Sequence, residues 1–161
     1  METLAQGYLR ALGEGDPERR AQIWNLLSST EQELCSQFGR LAADFSRAEE
    51  QETRVSTLPV YVPFAAKVLT RATFDMRQAL ALHARSICRA MEGGSAPSQR
   101  ARAFTVSAEL FLMQHTCHWY CRSRTVASAR MLARHKTSYE QIVASVLPDT
   151  RVAYSALVGR G

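Results

Sequence analysis

The chain has almost no lysine: of its twenty basic residues only Lys67 and Lys136 are lysine, and the rest are arginine. It is also short of chain breakers, with five prolines and eight glycines in 161 residues. No alternating apolar and polar run bounded by turn residues occurs, so the usual marks of strands and hairpins are missing and an all-α fold is expected. Internal repeats, low-complexity tracts and a glycine-rich phosphate cradle are absent too. Cysteine is limited to Cys35, Cys88, Cys117 and Cys121, all inside helical patterns. With no secretory signal ahead of them, they are expected to be reduced, intracellular core thiols rather than a disulfide framework. METLAQGYLRAL at the start is too polar for a signal sequence, and VAYSALVGRG at the end is too short for a membrane anchor.

What is present is material for one core. Residues 103–121, AFTVSAELFLMQHTCHWYC, carry a single formal charge, Glu109, and are apolar on more than one helical face. Such a helix has to be buried from several sides. Two histidines, a glutamine and the glutamate make it a poor membrane span, which predicts the central helix of a soluble domain.

Amphipathic segments surround it in sequence. A first helix is predicted over 3–12, with Leu4, Tyr8 and Leu12 on one face, and Asp16-Pro17 reads as the cap and first residue of the next. From there Ile23, Leu26, Leu27, Leu34, Phe38, Leu41 and Phe45 recur every three or four residues. They predict one long helix, or two broken near Ser28-Ser29-Thr30, where Thr30 and Glu33 match a capping box.

Residues 48–63 lose the period and are read as a loop. Helical spacing resumes at Phe64 and runs through Met91 to Gly93-Gly94, with Asp75 hinting at a restart. The tight connection 93–97 makes 75–91 and 103–121 antiparallel neighbours. The central helix either continues through 122–135 or bends near Ser123. Two short helices, 138–147 and 150–158, follow, split by Pro148-Asp149. The expected architecture is a single domain, residues 1–161: a bundle of six to eight helices around a central apolar hairpin.

That order of elements resembles the B-cell lymphoma 2 (Bcl-2) family of apoptosis regulators, and its divergent viral members most. The family's death-motif helix carries four apolar residues at spacings of four, three and four. Leu34, Phe38, Leu41 and Phe45 keep that spacing, with Ala42 as the small residue after the third. The motif's aspartate should follow at position 43, which is Ala43, and Asp44 comes one residue late. The family's groove arginine is matched by Arg77 in Phe74-Asp75-Met76-Arg77. A second register, at His118-Trp119-Tyr120-Cys121, leaves too little chain for the remaining helices.

The resemblance implies a hydrophobic groove lined by Phe45, Phe64, Val68, Leu69, Ala79 and Leu80, with Arg77 meeting a ligand aspartate. It further implies a non-enzymatic apoptosis inhibitor that binds the amphipathic helix of pro-apoptotic Bcl-2 family proteins. Such a protein works in the cytoplasm of a host cell or is recruited to mitochondria through a partner, without a cofactor. Homodimer formation is left open.

Other constellations compete. Cys117, His118 and Cys121 have helical spacings at which two ligands reach one zinc, with His83 and Cys88 as candidates to complete a set. The paired spacings of known zinc modules are missing, and core packing is the plainer reading, so no metal is expected. Adjacent Cys117 and His118 point about 100° apart on a helix and form no dyad. Arg71, Arg77, Arg85 and Arg89, and Arg124, Arg130 and Arg134, lie on polar helix faces. The rival function is therefore an arginine-rich helical nucleic-acid-binding protein, such as a viral double-stranded RNA suppressor.

Overall fold

The computed structural model describes residues 2–58, 72–93 and 96–159. Among them are eight helices and a two-stranded sheet: α1 (Glu2–Gly13), α2 (Pro17–Phe45), α3 (Glu50–Thr53), β1 (Arg54–Ser56), β2 (Thr73–Asp75), α4 (Met76–Glu92), α5 (Gln99–Cys121), α6 (Arg124–His135), α7 (Tyr139–Ser145) and α8 (Pro148–Val158). This is an all-α helical bundle. Its centre is the expected pair, α4 packed along α5, with α1, α6 and α7 covering further sides of α5 and α2 lying on α4.

The punctuation follows local chemistry. Asp16 caps α2 by accepting from the Glu18 amide at 2.9 Å, with Pro17 at the first helical position. Ser98, Ser123 and Ser138 cap α5, α6 and α7 in the same way. Gly93 ends α4 with φ of 71°, a left-handed conformation in which a side chain would also strike Arg102. The central helix stops at Cys121, and Ser123 starts a separate helix.

Three expectations change, and one open alternative is decided. Of the two readings of α2 the single long helix holds, with the Ser28, Ser29 and Thr30 hydroxyls donating back to the carbonyls of Trp24 and Leu26 within it. Its buried face is Trp24, Leu27, Glu31 and Phe38, while Leu26 and Leu41 are exposed. The loop read at 48–63 contains α3 and β1, and the helical period read through 73–75 is strand β2. Val55 and Phe74, both buried, are paired across that antiparallel ladder. Asp75 then caps α4, accepting from the Arg77 amide at 2.8 Å. The two C-terminal helices are separate as expected, with Pro148 itself opening α8, since its fixed φ suits the first helical position.

The third correction concerns the thiols. Cys35 of α2 and Cys88 of α4 form a disulfide, their Cα atoms 5.3 Å apart, where reduced thiols were expected. Cys117 and Cys121 are free. Among the described residues no helix is long and apolar enough to cross a membrane.

Candidate functional site

The central helix is not covered all round. Phe104 of α5 is 53% exposed and Leu9 of α1 is 67% exposed, and both border an apolar groove of about 400 Å³ between α1, α5 and α7. Ala5, Ala108, Phe111 and Ile142 form its floor and walls, with His135 and Thr137 at one end. Phe111 is held by stacking on the His135 ring at 4.2 Å, and His135 in turn bonds Gln114 at 3.1 Å. None of the residues that line it is acidic. Its rim is basic, since the Arg100 guanidinium lies 5.6 Å from the centre of the Phe104 ring and exposed Lys136 follows His135.

The residues of the groove that the resemblance implies do not line this one. Phe64, Val68 and Leu69 lie outside the described residues. Ala79 and Leu80 are buried in the core, at 0% and 4% exposure. Leu34 is half-buried, Phe38 buried and Leu41 exposed, so the motif helix turns its four apolar residues to different surroundings. Phe45 is half-buried, its ring edge-on to Tyr120 at 5.8 Å.

Phe45 and Arg77 do meet at one corner. Ala48 donates its amide to the Phe45 carbonyl and accepts from Arg77 Nη1 at 3.3 Å. The Arg77 guanidinium, however, is taken up inside the chain: Nε and Nη2 donate to Asp75 at 2.8–3.1 Å, and Glu50 stands 3.9 Å away. Burial by itself would raise the Asp75 carboxyl, but the hydrogen bonds from Arg77 outweigh it and hold the group below the usual carboxylate range. A ligand aspartate would have to displace this fork.

A larger cleft, about 700 Å³, lies between α2 and the connection from α4 to α5, with the Cys35–Cys88 disulfide in its wall. Two of its charged groups are spent on each other: Arg102 Nη1 donates to Glu31 Oε2 and to the Met91 carbonyl, and Tyr8 donates to Glu31 Oε1, while exposed Glu92 also lines the cleft.

The histidines and cysteines form no reactive centre. His83 is fully buried and shares a hydrogen bond with Thr116, which also bonds Tyr154. Burial, with His115 nearby, pushes His83 down to about 3, and burial pushes His115 down to about 4. The Cys117 thiol is raised to about 11 by burial and by Cys121, which keeps it protonated and unreactive. Cys88 is in the disulfide, and no group of three or more metal-ligating side chains converges among the described residues.

The open groove escaped sequence reasoning because α5 is apolar on more than one face, so nothing local says which of them stays uncovered. Leu9 was the one available signal, an apolar residue off the Leu4/Tyr8 face of α1. No family, no curated protein and no solved structure matches the chain.

Proposed function

We propose that this protein is a non-enzymatic binding protein that takes a partner's amphipathic helix into the groove between α1, α5 and α7. The observation that carries the reading is the exposure of Phe104 and Leu9 beside an otherwise buried central helix. A helix lying there would bury both residues against its apolar stripe, with its carboxylates toward Arg100 and Lys136. The resemblance to the Bcl-2 family supplies the class of ligand: the death-motif helix of pro-apoptotic proteins, which has an apolar stripe and an aspartate. On that reading the protein delays cell death by sequestering those partners in the cytoplasm.

Isothermal titration with a panel of death-motif peptides tests it. Submicromolar binding is expected, weakened at least about tenfold by Phe104→Glu, since buried aromatic anchors dominate such interfaces. If Arg77→Ala abolishes binding and Phe104→Glu does not, the ligand sits at the corner of α2 and α4 instead. Absence of binding to every peptide overturns the reading. The rival, phosphate-backbone binding, predicts affinity that falls steeply with salt, whereas an apolar groove responds little.

A further inference from the structure

The chain's formal net charge of +5 is carried by one part of the molecule. Between residues 110 and 139 there is no aspartate or glutamate, and the five cations Arg122, Arg124, Arg130, Arg134 and Lys136 all fall there. Over the remaining residues acidic and basic groups are equal in number. In the fold this segment is the end of α5 together with α6, and all five cations are exposed. The charges lie close together: burial and then the nearby Arg130 and Arg134 depress the His118 imidazole. Glu140 of α7 faces Arg124 at one edge of this surface.

Helix α6 adds a second property. Ala127 and Met131 point inward and are buried, leaving Val126, Ala129, Leu132 and Ala133 outward. Val126 is 43% exposed and Leu132 56% exposed. A helix with its polar face turned to water would put charge or amide groups at these positions. Here aliphatic side chains alternate with guanidinium groups on one exposed surface.

The geometry points to α6 as an interfacial helix that lies on an anionic phospholipid surface, its arginines among lipid phosphates and its outward aliphatic residues at the headgroup boundary. Charge complementarity selects an anionic surface, and the aliphatic residues select a bilayer over a nucleic acid. A phosphate backbone offers Val126 and Leu132 nothing apolar to enter, whereas the headgroup region accepts both kinds of side chain. The α6 surface is distinct from the groove beside Phe104, so this inference stands or falls separately from the helix-binding reading.

Flotation of the full chain with lipid vesicles tests it. Strong association is expected with phosphatidylcholine vesicles containing about 30% phosphatidylserine, and association weaker by about tenfold or more with phosphatidylcholine alone. The Arg122→Glu/Arg130→Glu variant should lose the anionic preference by a similar factor, with its helical circular dichroism unchanged. The decisive variant is Val126→Ser/Leu132→Ser, which keeps every cation and should still reduce vesicle binding several-fold. Binding that ignores lipid charge, or that survives both double variants, overturns the inference. Absence of vesicle binding overturns it as well, and a duplex RNA bound equally by the parent chain and Val126→Ser/Leu132→Ser would assign the cations to nucleic acid instead.

Discussion

Two buried polar clusters sit toward opposite ends of α5, and they are built on different principles. Toward its N-terminus Tyr8, Glu31 and Arg102 tie α1, α2 and α5 together with charges. Both Glu31 oxygens are satisfied, Oε1 by Tyr8 at 2.5 Å and Oε2 by Arg102 at 2.8 Å. Toward its C-terminus His83, Thr116 and Tyr154 tie α4, α5 and α8 together without charge, and beside them the Nδ1 atoms of His83 and His115 and Oε2 of Glu109 have no hydrogen-bond partner among the described residues. The first cluster keeps an ionised group inside by bringing the opposite charge to it. The second keeps its imidazoles neutral, because burial disfavours the protonated form.

The largest effect should come from opening the charged cluster. Arg102→Ala leaves Glu31 ionised at 5% exposure without its partner and is expected to cost about 3–5 kcal/mol in urea denaturation. Replacing both residues, as Glu31→Met/Arg102→Met, should recover most of that loss, because the cost belongs to the stranded charge rather than to the missing attraction. A loss below about 1 kcal/mol in the single variant would break the contrast between the clusters.

Acid should act on the other cluster. The unfolded chain takes up protons at these histidines near the ordinary imidazole value of 6.5, whereas the folded chain resists until about 3 for His83 and about 4 for His115. The unfolded state therefore binds more protons in between, and stability present above pH 6.5 is lost as pH falls, by up to about 2 kcal/mol per histidine at pH 5. Glu109 has the opposite sign: burial raises its carboxyl, so the stability it contributes is present at low pH and is lost as pH rises through its folded-state value. Urea midpoints at pH 7 and 5 measure the balance, and His83→Leu/His115→Leu should flatten the slope. The same pH 7 to 5 shift in the parent chain and in His83→Leu/His115→Leu would refute neutral burial.

The smallest effect is expected from Thr116→Val, which removes the hydroxyl shared by His83 and Tyr154 but strands no charge. A loss of about 1–2 kcal/mol is expected, again by urea denaturation. A loss as large as that of Arg102→Ala would mean that the neutral cluster is as tightly coupled as the charged one.

Much of the scaffold was legible in order. The charge-poor stretch 103–121 marked the central helix, Gly93 its partner's end, and Asp16-Pro17 the start of α2. Each of these signals works within a few residues, through a cap, a left-handed turn or a helical repeat. The exposed groove beside Phe104 was not legible in the sequence, because its place depends on how the helices pack. Arg77 was singled out as a free groove arginine, yet Asp75, two residues away, holds it once β1 and β2 pair.

The sequence by itself determined the fold class, the central hairpin and most helix ends, because apolar period and capping act locally on the backbone. Only the tertiary structure decided that Glu31 meets Arg102 across 71 residues, that Cys35 bridges to Cys88, and that Phe104 is the side of α5 left open. Those outcomes depend on which helix packs on which face, and a helix apolar on more than one face, such as α5, carries no local mark of its uncovered side.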